Sequence, residues 1–201
     1  MDFKRETAKL LAGASQNLAQ GIASWSFEFW ERKDFRLYLD FHKLSKSEQD
    51  RIFNELELSL LGLLVLHLDH AIEHASRPEQ RIVFSGLQKD LPSAFLQLFI
   101  NLGIEKQHID LWKKLIYMRL KEYRRDFKTA LKQSSKWEEF VEKEEVIHIT
   151  WARIETITID CLSHIRRGDV KDGDPLWKLL RKWFISLDAQ LHPMTELALG
   201  E

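Results

Sequence analysis

The stretch His67 to His74 reads HLDHAIEH and sets three histidines and two carboxylates within eight residues. Imidazoles and carboxylates are common ligands of zinc, iron and manganese, and they are also the usual proton carriers of enzymes. His70 and His74 stand four apart, the spacing that lets two imidazoles of one helix share an ion. His67 and His74 are separated by a helical rise of about 10 Å, too far for all three to join them. Further ligands must come from another helix. If Trp137 to Ile165 is helical, Glu144, His148 and Glu155 fall within its apolar stripe. Glu105 and His108 repeat the Glu-x-x-His spacing of carboxylate-bridged di-metal bundles and stand in reserve. His70, His74, Glu144, His148 and Glu155 thus outline one candidate, a metal-dependent helical-bundle oxidase or hydrolase holding iron, manganese or zinc.

Composition weighs against that candidate. With 31 acids and 8 histidines in 201 residues, about four to five histidines should meet an acid or another histidine three or four positions away by chance. All but His42 do, a mild excess. A di-metal bundle also wants two inward Glu-x-x-His pairs, and Glu145 with His148 supplies only the spacing, because the helical angles turn Glu144 inward instead. The plainer reading continues the core-facing stripe of Phe53, Leu56, Leu60 and Leu63 into the histidines and leaves Asp69 and Glu73 in water. On that reading no cofactor is needed.

A second constellation is electrostatic. Between Lys113 and Lys136 stand nine Lys or Arg residues and two acids. Lys114, Lys121, Arg125, Lys128 and Lys132 fall within a sector of about 60° on a helix, with Tyr117 bordering it. The opposite side carries Ile109, Trp112, Ile116, Leu120, Tyr123, Phe127 and Leu131. Such a ridge runs about 27 Å, long enough to follow several backbone phosphates or an acidic protein surface. The acid-rich WEEFVEKEEV that follows offers internal charge pairing as the competing use of the same cations.

The elements that must position these groups are helical. Four prolines and eight glycines leave long stretches unbroken, and apolar residues recur at helical spacing. A first helix is expected from Phe3 to about Ala19, with a separate aromatic segment in SWSFEFWERKDF. A capping box at Ser45 to Glu48 opens a long helix ending near Ala75, before Pro78. DLPSAFLQLFINLG reads as a compact apolar helix with a glycine stop, and the basic helix follows. A second capping box at Ser135 to Glu138 opens a helix toward Arg167, within which ETITID alternates like a strand. Asp174 and Pro175 open the last helix. The fold class is therefore all-α, one domain over residues 1–201. It is a bundle of about six or seven helices around a long central apolar helix, with a candidate mobile joint at 166–174.

Composition bounds the rest. A net charge of -1 provides no global field toward DNA or anionic membranes, so any electrostatic binding must be local. The longest apolar stretch, Leu56 to Leu68, is far short of the ~20 residues that cross a bilayer and contains Glu57. The N-terminal residues lack the apolar core of a secretion signal, and Cys161 is the single cysteine. The expectation is a cytoplasmic protein without a membrane partner, with room for a homo-oligomer. Gly-x-Ser-x-Gly elbows and glycine-rich phosphate loops are absent, and Asp169, Asp172 and Asp174 lack the spacing of a calcium loop. The leading expectation is a non-enzymatic helical interaction protein, an adaptor, regulator or assembly subunit. It would use Lys114, Tyr117, Lys121, Arg125, Lys128 and Lys132 against an acidic protein surface or a nucleic acid backbone. A small-molecule sensor with a pocket lined by Trp151 and the histidines ranks third.

Overall fold

The computed structural model describes residues 3–134 and 145–199. These form seven α-helices: α1 Phe3–Trp30, α2 Lys33–Tyr38, α3 Lys46–His74, α4 Pro78–Asn101, α5 Lys106–Ser134, α6 Glu145–Ile165 and α7 Pro175–Leu199. A single 3-10 turn, Phe41–Lys43, leads into α3. No strand occurs among the described residues, and none of the helices is long and apolar enough to cross a membrane.

α3 is the axis of the bundle. The Ser45 hydroxyl accepts the Glu48 N–H at 3.3 Å and fixes its start. Every residue from Glu55 to Leu68 is buried, because α1, α4, α5, α6 and α7 all pack around it. A helix enclosed on all sides has no polar face to offer, which is why its sequence is apolar nearly all round. Gly62 permits the closest approach. A Cβ there would enter the Tyr123 ring and stand 3.1 Å from Ile157, so the absence of a side chain lets α5 and α6 close on α3.

Two boundaries differ from the sequence expectation. α1 does not stop near Ala19 but continues through Gly21 to Trp30. Tertiary packing carries it across the glycine, with Phe29 stacked on Trp183 of α7 at 4.1 Å. α4 begins at Pro78 rather than near Asp90 and runs through Pro92. Pro78 occupies the first turn, where a missing N–H costs nothing. ETITID is helical within α6. Its threonines satisfy their buried hydroxyls by donating one turn back, Thr156 to the Ala152 carbonyl at 2.8 Å and Thr158 to the Ile154 carbonyl at 2.7 Å. The second capping box, at 135–138, lies outside the described residues.

The joint at 166–174 is bridged by its own ends. Arg166 donates to both carboxylate oxygens of Asp174 at 2.8 and 3.1 Å, and to the Tyr38 carbonyl at 3.1 Å. Asp174 also accepts the Leu176 N–H at 2.9 Å, which caps α7.

Candidate functional site

The histidines of α3 enter three different environments as the helix leaves the core. His67 is buried, with Nδ1 3.6 Å from Oδ1 of Asp188 on α7. Arg153 of α6 is 1% exposed and grips the same carboxylate, with Nε at 2.8 Å and Nη2 at 3.0 Å. Burial opposes ionisation of Asp188, but the bond with His67 and the Arg153 charge outweigh it and hold the carboxyl down at about 2. His70 is half-buried and pushed down to about 4, first by burial and then by the charges of His74, Arg153 and His67. It is therefore neutral at pH 7. His74 is exposed, its ring 4.1 Å from that of His70 and its Nδ1 2.9 Å from the His70 carbonyl, to which it donates.

Only part of the expected ligand set comes together. His70 and His74 are neighbours, but Glu155 is turned to α7, where it pairs with Arg181. His148 is half-buried, with Nε2 lacking a hydrogen-bond partner among the described residues. Glu144 lies outside those residues. Glu105 and His108 are both exposed. Among the described residues no group of three histidines, cysteines or acids is arranged to hold a metal ion. Trp151 is 46% exposed and is not among the residues that line the cleft holding His70.

Asp69 corrects a second expectation. It does not simply meet water. Arg124 of α5 donates to it through Nε at 2.8 Å and Nη2 at 3.1 Å, and the Gln88 side chain of α4 donates to the same carboxylate. Asp69 lies outside the apolar stripe of α3, but α4 and α5 cover that side. Glu73 is exposed, as expected.

α5 divides its cations by the side they face. The arginines facing the bundle are tied down. Arg119 donates to Glu55 at 2.8 and 3.1 Å and to Glu122 at 3.1 Å, and Arg124 is held by Asp69. The planar guanidinium suits such two-pronged bonds at a half-buried seam. The outer sector holds Lys114, Lys121, Arg125, Lys128 and Lys132, all exposed. Arg125 pairs with its neighbour Asp126 at 2.7 Å. Lys114, Lys121 and Lys128 make no ion pair with any described residue. Tyr117 is 70% exposed and with Leu120, Lys121, Arg124, Arg125 and Lys128 borders a shallow hollow of about 540 Å³. Leu111 and Met118 edge the sector as exposed apolar groups. The inner face of α5 is anchored by buried Ile116 and Tyr123, and by Trp112 stacked on Phe99 at 4.5 Å.

Sequence reasoning passed over the Arg153–Asp188–His67 assembly. Part of its signal was present: Asp188 is the one charged residue in the run 183–191, whereas Arg153 has Glu155 two positions on to suggest a local pair. Two opposite charges on core-facing stripes of neighbouring helices are expected to meet.

Comparison with known proteins finds no matching family model, no similar curated protein and no similar solved structure.

Proposed function

We propose that the protein works by contact, as an adaptor, regulator or assembly subunit, and that the outer face of α5 receives an anionic macromolecular partner. One observation carries this reading. Lys114, Lys121 and Lys128 project from a rigid helix without an ion pair among the described residues, beside an exposed Tyr117. A charge needed only for solubility has no reason to share a sector with exposed Tyr117, Leu111 and Met118. Cations provide attraction and fast encounter, and the flanking apolar groups provide contact once the partner has docked. An acidic protein surface and a nucleic acid backbone both meet the electrostatic requirement. The apolar edge favours the protein, because a phosphate backbone has nothing to place against Leu111 and Met118.

The test is the combined substitution Lys121→Glu, Arg125→Glu and Lys128→Glu. Anisotropy titrations use a labelled acidic peptide and a labelled single-stranded oligonucleotide, in salt from about 50 to 200 mM. Wild-type protein should bind the acidic peptide more weakly as salt rises, and the variant should lose both the binding and its salt dependence. Unchanged affinity and slope for both probes would reduce the ridge to a solvated face.

A further inference from the structure

α4 and α5 meet tightly at one end and part at the other. Near their connecting turn Trp112 stacks on Phe99 and meets Phe95 edge-on at 6.0 Å. Further along, α4 presents only Ser85 and Gln88 to the gap. The result is a cleft of about 420 Å³ over α3, within the size range of small-molecule sites. Its apolar lining comes from Leu66 and Ile72 of α3, Phe127 and Leu131 of α5, and Ile149 of α6.

The polar groups of the cleft differ in what they have left to give. Asp69 has both oxygens occupied, one by Arg124 Nε and the other by Arg124 Nη2 and Gln88. Arg124 keeps Nη1, for which no bond exists among the described residues. Lys128 brings a whole ammonium group without an ion pair among them. His70 is neutral at pH 7, since burial pushes it down to about 4. Glu73 is exposed, so water screens its charge. The unfilled capacity is therefore donor capacity beside an apolar surface, the complement of an amphipathic anion.

We propose that this cleft binds a small amphipathic carboxylate, its apolar body against Leu66, Phe127 and Ile149 and its charge on Arg124 and Lys128. The site is separate from the outer ridge, although Lys128 borders both, and stands whether or not the ridge takes a partner.

Three probes with one ring system and different charge test it on the full chain by calorimetry: 2-naphthoate, 2-naphthamide and 2-naphthylmethylamine. The expected result is saturable one-to-one binding of 2-naphthoate, about tenfold weaker binding of the neutral amide and none of the amine. Lys128→Met should weaken naphthoate several-fold, narrowing its advantage over the amide to what Arg124 still supplies, and leave the amide unchanged. Ser85→Phe places a ring in the gap from the α4 side and should abolish naphthoate binding while acidic-peptide binding to the ridge persists. A wild-type circular dichroism spectrum and melting temperature show that each variant has folded. Should Ser85→Phe fail this check, the Lys128→Met comparison decides alone. Three outcomes overturn the proposal: no saturable naphthoate binding, equal binding of naphthoate and the amine, or naphthoate affinity unmoved by Lys128→Met.

Discussion

Glu57 gives the sharpest forecast. It sits in the middle of α3, is 3% exposed, and its Oε2 has no hydrogen-bond partner among the described residues. Burial alone pushes its carboxyl up from 4.5 to about 8. The folded protein thus holds a proton that the unfolded chain releases near pH 4.5. The contribution of Glu57 to stability must therefore fall as pH rises from about 4.5 to 8, then level off. At pH 7 the accumulated cost is about 3 kcal/mol, taking 1.36 kcal/mol per unit of pKa difference. Glu57→Gln removes the titration and keeps the shape. Urea unfolding of wild type and variant, followed by circular dichroism at pH 5, 6, 7 and 8, isolates the term, because all other groups cancel in the difference. The advantage of the variant should grow with pH and reach about 3 kcal/mol at pH 7. Glu57→Met should add packing and exceed the glutamine variant. An advantage that is flat across the pH range would mean that Glu57 is solvated or paired, and the reasoning would fail.

Two further outcomes follow from the core. Arg153→Met strands the Asp188 carboxylate and should cost about 3 to 5 kcal/mol in chemical denaturation, whereas adding Asp188→Leu should recover most of the loss, since a buried pair is often replaceable by apolar groups. Gly62→Ala forces a methyl group into the Tyr123 ring. It should lower stability by about 1 to 3 kcal/mol despite the better helix propensity of alanine, and adding Tyr123→Leu should relieve part of it.

What could be read from residue order was what depends on one helix at a time. The Ser45 cap, the Asp174–Pro175 start, the central burial of α3 and the two faces of α5 are local facts of period and capping. What could not be read was where helices meet. Gly21 and the aromatic run after it look like a break until Trp183 of α7 is there to stack on Phe29. Pro78 looks like a stop until the turn before it places it at the start of α4. Asp69 looks solvated until Arg124, fifty-five positions on, arrives beside it. Of the candidate site, the exposed sector of α5 was legible because a single helical angle defines it. The cleft was not, because four helices define it.

The cations of α5 show why the two proposed sites sit together without being one. An arginine that must reach across a seam is best used as a fork, and Arg119 and Arg124 are fixed to Glu55 and Asp69 of α3. Those bonds set the rotation of α5 about its own axis. Once that rotation is set, the positions seven, eleven and fourteen residues beyond Lys114 share its side of the helix and can only face solvent, and they are occupied by Lys121, Arg125 and Lys128. Lys128 lies one turn beyond Arg124, at the edge where α5 departs from α4. It therefore borders the hollow on one side and the cleft on the other. Loosening the Arg124–Asp69 bond should let α5 rotate and alter both surfaces at once. Substituting Lys128 alone changes charge without moving the helix, so the two kinds of variant separate geometry from electrostatics.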